Sequence, residues 1–81
     1  MQRVIPLPPF DREYFAEKSA IEVEARNLFA LVQRLNALAP GFADIAEARA
    51  SFAVNGTLQA DWTAALPPDC EVLVVPRISG G

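Results

Sequence analysis

Histidine is absent from this 81-residue chain, and cysteine, lysine and tryptophan occur once each. Losing histidine removes the usual general base at neutral pH and the commonest neutral metal ligand. The lone Cys70 allows neither a disulfide nor a cysteine-based zinc site within the chain, and it fits a reducing, cytoplasmic setting. Positive charge is also scarce. Seven basic residues face 10 acidic ones, a net charge of -3, which is the wrong sign for neutralising phosphates, so nucleic acid is not an expected partner. No apolar run approaches the roughly 20 residues that span a bilayer, and the first residues lack the basic-then-apolar layout of a signal peptide. A membrane is not an expected partner either. A chain this short forms one domain that buries about 60 to 65% of its unfolded surface, which leaves little room for a deep pocket or a bound cofactor.

Hydrophobic residues are plentiful, at 52%, and their spacing sets out the elements. Gln2 to Ile5 predicts a short first strand, closed by Pro6, Pro8 and Pro9, which remove ladder donors. Phe10 to Ser19 predicts a loop or a single helical turn. Ile21-Glu22-Val23-Glu24-Ala25 alternates with period two, as in a half-buried strand whose glutamates face water. Two strands so closely joined predict an antiparallel pair. Asn27 is a natural N-cap for a helix with Leu28, Leu31, Val32, Leu35 and Leu38 on one buried stripe, and Pro40-Gly41 stops it. Phe29 lies off that stripe. Asp44 to Ala50 predicts a weaker helical turn. Asn55-Gly56, between Phe52-Ala53-Val54 and Thr57 to Ala60, is the signal of a tight antiparallel turn. Asp61 to Leu66 reads as another helical turn, and Glu71 to Val75 as a strand buried on both faces.

A helix laid across one face of a mixed sheet buries its leucine stripe. The expected fold is therefore α+β: a β-grasp roll over residues 1–76, with four to five strands on one main helix, followed by a flexible tail over 77–81. The sequence closes on Gly80-Gly81. Glycine usage of about 7% would place such a pair there roughly once in 200 chains. Two residues without a Cβ let the tail enter a channel too narrow for a side chain, so Gly81 is the candidate reactive position.

Three segments resemble the small ubiquitin-like sulfur carriers, and among them the small-subunit family of molybdopterin synthase. They are Ala53-Val54-Asn55-Gly56, Leu66-Pro67-Pro68-Asp69-Cys70-Glu71-Val72 and Pro76-Arg77-Ile78-Ser79-Gly80-Gly81. The specific motifs occupy the last third of the chain. Departures from the family pattern are Asp69-Cys70 in place of glycine then aspartate, Arg77 in place of the tail's second proline, and the prolines of the first strand.

The resemblance implies a β-grasp fold and a carrier consumed and regenerated, a non-catalytic subunit of a synthase. An adenylating enzyme similar to ubiquitin-activating enzymes would use ATP and magnesium to make an acyl adenylate at Gly81. A sulfur donor, such as a cysteine desulfurase or a rhodanese-like protein, would then leave a thiocarboxylate there. Delivery would occur in the large synthase subunit, two small subunits flanking a dimer of large ones. In this scheme Gly80 threads the channel, while Pro76, Arg77, Ile78 and Ser79 form the partner-binding stretch.

Two other destinations stay open from the sequence. The same tail suits a carrier for the thiazole of thiamin or another sulfur-containing metabolite. It also suits a ubiquitin-like modifier joined through Gly81 to a substrate lysine. Bland roles are expected for Cys70, a small residue at a bend, for Asn55-Gly56, a turn, for Glu22 and Glu24, a solvated face, and for Trp62, a packed anchor. Phe10, Tyr14, Phe15 and Phe29 are divided between core and a docking patch.

Overall fold

Five strands and three helices follow one another over residues 1–77, the residues that the computed structural model describes. They are β1 (Gln2–Pro6), α1 (Phe10–Tyr14), β2 (Ile21–Val23), α2 (Leu28–Leu38), α3 (Phe42–Arg49), β3 (Ala50–Val54), β4 (Thr57–Leu58) and β5 (Glu71–Pro76). The strands form one mixed sheet in the order β2-β1-β5-β3-β4. β1 runs antiparallel to β2 and parallel to β5, with Val4 opposite Val72 and Ile5 opposite Leu73. β5 is antiparallel to β3, with Ser51 opposite Val75. The final apolar run is thus the central strand of an α+β fold. Among the described residues no helix is long and apolar enough to cross a membrane.

Local chemistry explains the best-defined elements. The Asn27 side chain accepts the Ala30 amide at 2.8 Å and caps α2, satisfying a donor that the first turn leaves free. Leu28, Leu31, Val32 and Leu35 are all buried beneath it. Asn55 and Gly56 both take positive φ, 49° and 87°, as a tight turn between right-twisted strands requires. The Asn55 side chain also accepts the Glu71 amide at 3.0 Å, tying the hairpin to the start of β5.

Several expectations need correction. Leu38 is 62% exposed, because the stripe passes from Leu35 to the buried Ala39, four residues on. The weak turn after Pro40 is a full helix, α3, which places Phe42 and Ala46 in the core. The helical layer is therefore not one helix alone. Gly41 links the two at φ 100°, with Asn36 Oδ1 accepting from the Gly41 and Ala43 amides. Residues 61–66 form no helix. Asp61 draws the Thr63 amide and hydroxyl onto its carboxylate, at 2.9 and 2.6 Å, a local bond that competes with helical pairing. The return strand stops at Leu58, although Gln59 still donates to the Phe52 carbonyl at 2.9 Å.

β5 is covered on one face only. Val72 and Val74 are fully buried against the helices, whereas Leu73 and Val75 are half-buried on the other side, because the chain has no second layer to place there. Under the helices Phe42 is the hub of an aromatic cluster, with ring centroids 5.1 Å from Phe15, 5.7 Å from Tyr14 and 6.3 Å from Phe10. Three of the four candidate docking aromatics therefore belong to the core or its margin. Phe29 alone stands out at 54% exposure.

Candidate functional site: the root of the C-terminal tail

Two of the six residues singled out in the tail, Pro76 and Arg77, fall within the described residues; Ile78, Ser79, Gly80 and Gly81 lie outside them. Pro76 ends β5 opposite Ala50. On the β1 side, pairing stops for two reasons. The last rung is the Leu7 amide donating to Val74 at 2.9 Å; the next donor would be residue 76, and proline has none. The Leu7 carbonyl that would accept it already receives the Phe10 amide at 2.9 Å.

On the β3 side the ladder runs one residue further. The Arg77 amide donates to the Arg49 carbonyl at 2.7 Å. Beyond Arg49 the neighbouring chain is α3, whose backbone groups are taken up by the helix, so it presents no further strand edge. The root of the tail is thus held at Arg77. Arg49 itself is braced by Glu13, at 3.3 Å, and by the Phe10 ring, 5.6 Å from its guanidinium carbon. Both Arg49 and Glu13 are largely exposed, so the ion pair orients more than it stabilises.

Around this root an apolar sheet face meets grooves of mixed polarity. On the uncovered sheet face Ile5, Leu73 and Ala53 stand in one row across three strands, with Val75 and Ser51 in the next row towards the tail. Further from the tail, Arg3 lies in register between Glu22 and Glu71, so that face grades from charged to apolar as it nears Pro76. At the β4 edge of the sheet two adjoining grooves, of about 220 and 430 Å³, share Ala60, Trp62 and Arg77 in their walls. Sequence reasoning missed these grooves, since Phe29, Leu58, Trp62 and Arg77 are brought together only by the fold. Phe29, apolar yet off the helical stripe, was the one available sign.

Cys70 is buried, and its backbone carbonyl accepts the Arg3 amide at 2.9 Å. Burial pushes its thiol above the ordinary range, which disfavours the thiolate needed for sulfur exchange. Among the described residues no cluster of three or more histidine, cysteine or acidic side chains is placed to hold a metal ion. What the region shows is the end of the central strand, bonded at Arg77 to β3's neighbour Arg49. No protein-family model matches this chain, and no curated protein matches it.

Proposed function

We propose that this chain is a β-grasp sulfur carrier whose Gly81 carboxylate is the group that changes. The observation that carries the reading is the placement of Pro76 and Arg77 at the end of the central strand, where pairing is left on the β3 side alone, immediately before the sequence Ile78-Ser79-Gly80-Gly81. A five-stranded mixed sheet curled around α2 is also what a β-grasp roll requires. The uncovered face with Ile5, Leu73 and Val75 supplies an apolar surface beside the exit, of the kind that a partner holding the tail would cover.

The chemistry divides between the chain and its partners. A free carboxylate has no leaving group. Attack of the Gly81 carboxylate on the α-phosphate of ATP, in an adenylating enzyme that holds the magnesium, releases pyrophosphate and gives an acyl adenylate. The terminal sulfur of a donor persulfide displaces AMP, and a thiol then cleaves the sulfur–sulfur bond, leaving a disulfide on the donor side and a thiocarboxylate on Gly81. The carrier's own part is steric: a narrow end on a fixed root. The acceptor proposed for the sulfur is the precursor of molybdopterin, bound in a large synthase subunit.

Incubation with ATP, magnesium, an adenylating enzyme and a sulfur donor, followed by mass spectrometry with C-terminal fragmentation, tests the proposal. Sulfur located on Gly81 supports it. A carboxylate unchanged by several competent activating enzymes refutes it. Gly80→Val is expected to keep the fold while loading falls by at least tenfold, since a loss of about 1.4 kcal/mol of productive binding already gives that factor; normal loading would remove the channel argument.

A further inference from the structure

The free edge of the sheet at β2 is unused by the carrier reading. β2 stands first in the order β2-β1-β5-β3-β4, so among the described strands only β1 pairs with it. The direction of its spare backbone groups follows from β1. The Arg3 amide donates to the Cys70 carbonyl, towards β5, so Arg3 and Glu22 are the pair of the antiparallel register that exchanges no hydrogen bonds. The Glu22 amide and carbonyl therefore point away from the sheet, an open place for one more strand.

The two faces of that edge differ. On the helical face Ile21 and Val23 are buried, and a groove opens beside each. One, of about 150 Å³, is lined by Phe15, Ile21 and Leu38 among others; the other, of about 380 Å³, by Met1, Val23, Arg34 and Leu38, with Glu22 and Glu24 beside them. Leu38 and Met1 are 62 and 59% exposed there, an apolar rim of the kind that marks a contact surface. Side chains two apart on an added strand share a face at a spacing of about 6.6–6.8 Å, so those flanking the residue opposite Glu22 fall on the two grooves. On the other face Glu71, Arg3 and Glu22 lie in register with alternating sign, and the next place in that row faces a carboxylate. Glu24 follows two residues on, exposed like Glu22. Among the described residues neither glutamate takes part in an ion pair. A second copy of this chain is a poor occupant, because β2 against β2 sets these carboxylates against their own copies, and like charges directly opposite are destabilising.

We propose that the β2 edge is a docking site for an extended segment of another protein in which basic and aliphatic residues alternate. The basic residues pair with Glu22 and Glu24, and the aliphatic ones enter the grooves on either side of Leu38. The site is independent of the carrier reading, since β1 separates β2 from β5.

A synthetic peptide of alternating lysine and valine, titrated into the isotope-labelled full chain, tests the proposal by NMR. Saturating peptide is expected to shift the Glu22 amide and the Leu38 methyl groups, and to slow hydrogen exchange of the Glu22 amide by about tenfold or more. Glu22→Gln and Leu38→Ser each alter an exposed side chain and should leave the fold in place. Glu22→Gln is expected to weaken binding by about two- to fivefold, and Leu38→Ser by at least as much. No saturable binding overturns the proposal. So does equal binding of a glutamate-valine peptide, or of a peptide holding the same lysines and valines in two blocks, or a response centred on Ile5, Leu73 and Val75. A dimer that protects the Glu22 amide without peptide also overturns it, by making a second copy the occupant.

Discussion

Replacing Gln2 by methionine is expected to cost more stability than any surface change, although the two side chains are similar in length. Gln2 is 2% exposed, the one fully enclosed polar side chain among the described residues. Its Nε2 donates to the Ala25 carbonyl at 2.7 Å and to the Pro67 carbonyl at 3.0 Å, while its Oε1 accepts the Ala25 amide at 2.8 Å. One side chain thus joins β1 to the entry of α2 and to the bend before β5. Methionine leaves three backbone groups without partners, two of them fully buried, and each buried orphan costs about 1–3 kcal/mol. Burying the thioether returns roughly 1–2 kcal/mol, so the net loss is about 2–4 kcal/mol. A domain of this length has on the order of 4–12 kcal/mol in total. With a urea slope near 1 kcal/mol/M, the midpoint should fall by about 2–4 M without a change of slope. Gln2→Glu, which keeps the acceptor and loses both donors, should do no better. A loss under about 1 kcal/mol in Gln2→Met would refute the reasoning, because the three hydrogen bonds would then add nothing over plain apolar filling.

Gly41→Ala meets open space, its nearest atom being Tyr14 Cε1 at 4.0 Å, but φ is 100°; backbone strain of about 1 kcal/mol should lower the melting temperature by roughly 4–8 °C in calorimetry. Asp61 titrates below the ordinary carboxylate value because the Thr63 hydroxyl and amide bond its charged form. A depressed folded value means that its contribution is present above the unfolded value near 3.8 and lost as pH falls through the folded one. Thr63→Val should raise the Asp61 midpoint in a carboxyl NMR titration, and an unmoved midpoint would exclude the hydroxyl as cause. Cys70, buried and held as the thiol, should react with a thiol reagent only after denaturant is added; rapid labelling of the native protein would restore it as a relay candidate.

Features that depend on neighbours in sequence were legible before the fold. The Asn27 cap, the upper part of the α2 stripe and the Asn55-Gly56 turn each follow from a few adjacent residues. The run Glu71 to Val75 was legible as a strand, but not its having one face uncovered, which depends on the rest of the chain supplying no second layer. Features that depend on distant partners were not. A glutamine at the start of a strand gives no hint that Ala25 and Pro67 will enclose it. The apolar residues of α3 follow no single stripe, and it is tertiary burial of Phe42 and Ala46 that supports the helix. Asp61 to Leu66 had helical composition, yet the Asp61 carboxylate captured the Thr63 amide first. For the site, Pro76 was legible as the end of the last strand, but the grooves beside it were not, because Leu58 and Trp62 reach that surface only through the turn at Asn55-Gly56.

The two neighbours of β5 pair with it over different lengths. Proline at 76 ends pairing with β1, where Leu7 has already turned its carbonyl to the first turn of α1. Pairing on the β3 side continues to Arg77, the last described residue, whose partner Arg49 closes α3. A single proline therefore does not set the boundary; the α3-to-β3 junction at Arg49 and Ala50 does so equally. This has a consequence for the side chain at 77. Its amide is fixed to the body and Arg77 lines both grooves, so a cationic residue stands at that point of the surface. On the carrier reading, a partner that accepts this chain meets a cation there, between the uncovered sheet face and the Trp62 groove. Discrimination among related partners is then expected to lie in the residue facing Arg77 rather than in the glycines, which any narrow channel admits.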